Sequence, residues 1–323
     1  MSAPSPTPER PRARQSAGRP LARLRAGGRS DERLVECRRA RGVRVRRRQA
    51  GLAIGVGVVV AGFVVSLAGD SEDRGIERTV ARPEPPSPPV APPPALPGPD
   101  RFADAAAYAR ARTGNASLAV VDTRGVTRGL DARRTYVSAS VLKAMVLVAY
   151  LDRTARSGRS LTPQARSQLE GMIRRSENPP VPQLLAEVGT SGLSEVAARA
   201  RMRGFMPLLA PWGLSRITAE DQARFFLEID DLVPPSYRRY ARSLLTTIVP
   251  EQSWGVPEAA RGRFTILFKG GWLPSDERRW SVHQVAKLES GRGPLSIAVL
   301  SDGNPSRAYG IETVRGVAKR LLR

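Results

Sequence analysis

Cysteine, histidine and lysine are almost missing from this sequence. One cysteine, Cys37, and one histidine, His283, occur in 323 residues, and four lysines stand against 48 arginines. With no cysteine beyond position 37, the rest of the chain has no disulfide framework, no thiol nucleophile and no cysteine zinc site. A lone histidine leaves only carboxylates as further metal ligands, so neither a metal nor another cofactor is expected. A serine–histidine–aspartate triad would have to use His283, which sits inside the strand-like "WSVHQV" with no motif around it and reads as structural. The shortage of lysine makes each lysine informative.

Acidic residues are also scarce, 30 against 52 basic ones, for a net charge of +22. Such a balance first suggests nucleic acid, but the charge is unevenly placed. Residues 1–49 hold 15 Arg and 4 acidic residues, 15 − 4 = +11, half of the total. That stretch is rich in Pro, Ala, Gly and Ser, poor in large apolar residues, and is expected to be a disordered basic tail. Residues 50–69, "AGLAIGVGVVVAGFVVSLAG", carry no charge. Twenty helical residues at about 1.5 Å each cross the ~30 Å apolar layer of a bilayer. With "RVRRRQ" before it and "GDSED" after it, the segment is expected to be a transmembrane helix with the tail cytoplasmic and the remainder outside. Cleavage after Ala68 is the alternative; the long stretch ahead of the apolar run favours a retained signal-anchor. The tail's arginines then serve orientation and lipid headgroups, and no nucleic-acid partner is expected.

Residues 70–99 read as an extracytoplasmic linker, with 10 prolines in the 17 positions of 83–99. Such composition favours an extended polyproline spacer. Residues 100–323 form one domain-sized unit. "ASLAVVDT" (116–123) and "VTRGL" predict a hairpin, and "RFTILFKGG" (263–271), "RRWSVHQVAKL" and "PLSIAVLSD" predict three more strands. Helical periodicity covers about 140–156, 163–175, 192–203, 218–230 and 236–248, and "RAYGIETVRGVAKRLL" closes the chain. Strands at both ends with helices between them predict an α/β (α+β) fold: an antiparallel sheet flanked by helices, with an all-helical subdomain.

Three short motifs carry the chemistry. In "SASVLKAMVLVAYL" (138–151), Ser140 and Lys143 share one face at a helix start, and the run around Lys143 is apolar. Burial disfavours an ammonium ion and favours a neutral amine, which can take the proton of a neighbouring hydroxyl. A capping serine with a snorkelling lysine fits the pair equally well. In "RRSENPP", Ser176 and Asn178 can face one cleft as proton relay and amide-recognising group, or the segment simply stops a helix. In "FKGGW", Lys269 ends an alternating strand, and Gly270 and Gly271 permit close approach of a substrate backbone or form a tight turn.

In this order, S-x-x-K, S-x-N and K-x-G resemble the penicillin-recognising serine enzymes, which include the class A β-lactamases and the D,D-peptidases. The resemblance spans residues 100–323. It implies that Ser140 is the acylated nucleophile, Lys143 its general base, and Ser176 the group returning the proton to the leaving nitrogen. It further implies that Asn178 holds the substrate amide, that Lys269 presents a cation to the substrate carboxylate, and that Gly271 and Trp272 line the substrate edge. The N–H groups of Ser140 and Trp272 would form the oxyanion hole. The implied substrates are β-lactams or peptidoglycan stem peptides, and a monomer is expected.

The sequence departs from that family at three points. The middle motif is SEN rather than SDN, and KGG replaces KTG. No E-x-x-L-N segment lies between Asn178 and Lys269, where class A enzymes carry the glutamate that activates the deacylating water. "MPLLAPWGLSRITAEDQARFF" runs through this region instead, with Glu220 and Asp221 as ordinary first-turn helix residues. The expectation is an extracytoplasmic serine hydrolase or acyltransferase that acylates and deacylates slowly. The alternative is a non-catalytic cell-envelope binding module on the same fold.

Overall fold

A computed structural model describes residues 96–275 and 278–323. The expected basic tail, the apolar segment 50–69 and most of the linker lie outside the described residues. Among the described residues no helix is long and apolar enough to cross a membrane.

One five-stranded antiparallel sheet organises the domain. Its strands are β1 (Asn115–Asp122), β2 (Thr127–Leu130), β5 (Thr265–Pro274), β6 (Trp280–Ser290) and β7 (Gly293–Asn304), in the order β2-β1-β7-β6-β5. The expected hairpin is present, with Val121 opposite Thr127 and Leu118 opposite Leu130. β1 joins the C-terminal strands through β7, so the two ends of the domain share one sheet. Residues 117–122 of β1 are all buried, because both sheet faces are covered. Helices α1 (Pro99–Arg110) and α9 (Arg307–Leu321) pack on one face, and α5 (Ala219–Leu227) packs against β1, β6 and β7. A strand covered on both sides reads as a continuous apolar run, not as an alternation.

The helical part is built around α2 (Leu142–Arg156), whose first ten residues, 142–151, are all buried. A helix apolar on every side needs neighbours all round; α3 (Pro163–Arg174), α4 (Val181–Arg199) and α7 (Pro235–Thr246) supply them. The sequence pattern finds only the second half of α4. Gly189, at φ 69°, kinks it, and the break in periodicity hides the first half. The expected helix 218–230 divides into α5 and the single turn α6 (Ile229–Leu232). α1, α8 (Val256–Ala260) and the short ribbon of β3 (Thr135–Val137) with β4 (Arg216–Thr218) are additional. That ribbon leads directly into the turn that carries Ser140.

Of the four lysines, Lys143, Lys269 and Lys287 are buried and only Lys319 is exposed. Lys287 is neutralised by Asp230 and Glu289, which Arg242 also engages. The other two buried lysines have no carboxylate in ion-pair range among the described residues, and both reach the hydroxyl of Ser176.

Candidate active site

Ser140 sits in a 3-10 turn, Ala139–Val141, immediately before α2. Ala139 adopts φ 45°, a left-handed conformation that an alanine enters at a cost of about 1 kcal/mol or more. The turn is pinned from both sides. Ser138 N donates to Ser215 O at 2.7 Å, and β5 presses on it through Gly271. A Cβ placed on Gly271 would stand 2.8 Å from both the Ser140 and Val141 nitrogens. Only a glycine lets the edge strand lie this close to the Ser140 turn. Ser140 is half-buried, and its hydroxyl makes no hydrogen bond among the described residues.

One turn on, Lys143 is fully buried. Its Nζ donates to Ser176 O at 2.6 Å, to Asn178 Oδ1 at 2.8 Å and to Ser176 Oγ at 3.3 Å. The Trp212 ring lies over it, 5.1 Å from nitrogen to centroid. Burial pushes its pKa down to about 7, and the Glu177 carboxylate opposes the shift. A neutral amine has two hydrogens and a lone pair. Ser176 O and Asn178 Oδ1 occupy the two hydrogens, which leaves the lone pair for a hydroxyl.

Ser176 and Asn178 follow α3, and Ser176 has φ 58°. This conformation turns the chain so that the carbonyl and the hydroxyl of one residue both meet the lysines. Lys269, on edge strand β5, is fully buried and donates to Ser176 Oγ at 2.9 Å and to Gly270 O at 2.8 Å. Burial and the nearby Lys143 hold its pKa well below the ordinary lysine value.

The residues singled out in the sequence thus fall into one cluster. Lys143, Ser176, Asn178 and Lys269 are directly hydrogen-bonded, and Gly271 touches the Ser140 turn. Ser140 and Lys143 are one turn apart but not hydrogen-bonded. Trp272, half-buried next along β5, stacks under the Arg307 guanidinium at 4.1 Å. His283 is fully buried and structural: Ser301 N donates to its Nδ1 at 3.2 Å, and its Nε2 donates to Val137 O at 2.8 Å. Burial lowers its pKa to about 4, so it is neutral. Glu220 is engaged by Arg133 and Arg224, and Asp221 accepts from Arg203 N and Gly204 N. A surface cavity of about 810 Å³ lined by Arg133, Arg134, Glu220 and Arg224 contains none of the site residues.

Sequence reasoning missed Trp212. Its segment stood out only by lacking an E-x-x-L-N pattern; an aromatic residue in a proline-punctuated loop was the available signal. Arg307 had none in so arginine-rich a chain.

Comparison with solved structures identifies the architecture. It is the class A β-lactamase fold. The β-lactamase of Sphaerobacter thermophilus DSM 20745 aligns over 68% of this chain and 95% of its own, at 18% identity and a TM-score of 0.58. A representative class A β-lactamase of Bacteroides cellulosilyticus DSM 14838 covers 71% and 98%, at 14% identity and a TM-score of 0.62. A β-lactamase of Xanthomonas campestris pv. campestris str. ATCC 33913 covers 69% and 96%, at 16% identity and 0.60. No protein-family model matches the chain, and no curated protein matches its sequence.

Proposed function

We propose that the protein is a membrane-anchored, extracytoplasmic serine hydrolase or acyltransferase, acylated on Ser140 by β-lactams or peptidoglycan-type peptides. The observation that carries the reading is the meeting of two buried lysines at one serine hydroxyl beside the Ser140 turn. A buried charge without a counterion is expensive; a carboxylate-binding role accounts for one such amine, and a proton-accepting role accounts for the second.

In the reaction, neutral Lys143 takes the Ser140 proton directly or through Ser176, and Ser140 Oγ attacks the substrate carbonyl. The N–H groups of Ser140 and Trp272 receive the negative oxygen of the tetrahedral intermediate. Ser176 Oγ hands a proton to the leaving nitrogen and regains one from Lys143, the C–N bond breaks, and the acyl group stays on Ser140. Asn178 orients the substrate amide. Lys269 binds the substrate carboxylate, whose charge restores the ammonium form that burial disfavours. No carboxylate contacts Lys143, Ser176 or Ser140 among the described residues to activate a deacylating water, so the acyl-enzyme is long-lived.

Residues 50–69 hold the protein in the membrane with the 1–49 tail cytoplasmic, and residues 70–99 space the monomeric domain from the bilayer. External protease should then remove the domain and spare the tail; a soluble form starting at Gly69 would show a cleaved leader instead. Acylation is tested by intact-mass measurement of the purified full-length chain after exposure to a penicillin. A persistent adduct on Ser140 is expected. Absence of both adduct and turnover would leave a non-catalytic envelope module.

A further inference from the structure

Among the described residues five large apolar side chains are exposed, and four of them lie within nine positions: Met206 (64% exposed), Leu208 (41%), Leu209 (42%) and Leu214 (40%). They belong to a closed loop. Met206 N donates to Arg216 O at 3.0 Å, and Arg216 N to Met206 O at 2.8 Å, which fastens its base. Ser215 Oγ accepts from Leu208 N at 2.9 Å and donates to Trp212 O at 2.8 Å, bracing the interior. Pro207 and Pro211 restrict the backbone further. The inner side is committed, since Trp212 lies over Lys143 and Gly213 O accepts from Ser138 Oγ. A compact loop with close ends normally packs with its own side chains. This one sends four outward.

The charge around the loop is one-sided. Residues 201–216 contain three arginines and no acidic residue. Arg201 pairs with Glu228, while Arg203 and Arg216 are exposed with no acidic partner among the described residues. Arg216 is joined through its backbone to Met206, so a cation stands at the base of the apolar tip.

Exposed apolar clusters of this kind mark interaction surfaces. An apolar tip above cationic residues matches the interface of an anionic bilayer, with leucines reaching the acyl boundary and guanidinium groups meeting lipid phosphates. We infer that the 206–214 loop docks on an anionic lipid surface, bringing the mouth of the Ser140 cleft to the membrane. The 26 residues 70–95, at no more than about 3.5 Å each, leave ample reach if residues 50–69 are the anchor. The inference stands apart from that reading and from catalysis, since it needs only the loop and its arginines.

The test uses the full-length chain with Cys37→Ser and an environment-sensitive fluorophore on Leu209→Cys or, as control, on Val126→Cys. Vesicles of mixed phosphatidylglycerol and phosphatidylcholine carry nitroxide-labelled acyl chains. Severalfold quenching is expected at 209 and little at 126, with the 209 signal falling in Arg203→Glu/Arg216→Glu and in high salt. Equal quenching at both positions overturns the inference, and so does quenching at 209 that is as strong in pure phosphatidylcholine. A probe at 209 already shielded in vesicle-free solution also overturns it, because a protein partner or second copy would then cover the loop.

Discussion

The amines of Lys143 and Lys269 both reach the hydroxyl of Ser176, at 3.3 and 2.9 Å. Burial, with no counterion within ion-pair reach of either, drives both amines toward neutrality, and for Lys269 the nearby Lys143 adds to it. A neutral Lys143 is the base that the proposed acylation calls for, without a histidine. Acylation of Ser140 should therefore rise with pH through a midpoint near 7, the value of Lys143, and level off above it. Lys143→Arg keeps a charge that cannot be released, and its acylation should fall ~10³-fold or more. Stopped-flow acylation rates from pH 5 to 9 decide the point. A flat profile would remove Lys143 from the base role.

Ser176→Ala deletes the hydroxyl that both amines share while leaving its carbonyl for Lys143. If the proton reaches the leaving nitrogen through Ser176, acylation should drop by ~10²–10⁴. Folding should persist, because the residue is only half-buried. Circular dichroism with adduct formation by mass spectrometry separates the two effects. A folded variant that acylates at the parent rate rules out the relay.

The fold was legible where periodicity is long. The β1–β2 hairpin, the three C-terminal strands, α2 and α9 follow from it directly. It failed where the chain breaks, at the Gly189 kink and in the three-residue strands β3 and β4, too short to carry a period. At the site, rarity did the work: three of the four lysines are buried, and two of them are the ones that matter. The sequence could place Ser140 and Lys143 on one face, but not the bonds that turn Lys143 toward Ser176 and Asn178. Those depend on a φ of 58° at Ser176, which no local residue pattern announces. The full burial of Lys269 beside a second lysine is likewise a tertiary fact.

Trp212 covers Lys143 with an apolar ring, and among the described residues no carboxylate hydrogen-bonds Ser140, Lys143 or Ser176. The penicilloyl adduct should accordingly outlast the turnover time of an efficient hydrolase, whose kcat is ~1–10³ s⁻¹. Trp212→Ala opens the ring's volume to solvent beside a potential base, and adduct loss should quicken by ~10-fold or more, a barrier change of about 1.4 kcal/mol. Time-resolved intact mass after removal of excess penicillin reads both. An adduct equally persistent in the variant would place the block elsewhere.

Gly271→Ala puts a methyl group 2.8 Å from the Ser140 and Val141 nitrogens. Backbone atoms are in the way, so the turn or the strand must move, at about 1–3 kcal/mol. If Ser140 is the nucleophile, a shift of even ~1 Å in its turn lowers the rate ~10²-fold. The expected result is a folded protein with a modestly lower Tm and a strongly reduced acylation rate. The conservative comparison is Gly270→Ala, whose added carbon meets the Trp254 ring only at 3.5 Å. Its acylation should stay much closer to the parent rate. Similar losses in the two variants would mean that the contact with Ser140 is not what requires glycine at 271.

Burying Lys143 has a cost that can be measured separately from its chemistry. In the unfolded chain it takes up its proton below about 10.5, whereas in the folded site it does so only below about 7. Between those values the unfolded state binds more protons, so folding weakens as pH falls from 10.5 toward 7 and the penalty is constant below that. Lys143→Met removes the charge and keeps the length of the side chain. It also gives up hydrogen bonds to Ser176 and Asn178, each worth about 1 kcal/mol, so the net gain should be on the order of 2 kcal/mol at pH 6–7. That corresponds to a Tm increase of roughly 4–8 °C in a domain of this size, together with loss of acylation. The increase should shrink steadily as the pH rises toward 10.5, above which the lysine is largely neutral in both states. Thermal melts of parent and variant at pH 6, 8 and 10 test it. If the variant is less stable at every pH, the hydrogen bonds outweigh the buried charge, and the low pKa of Lys143 loses its support.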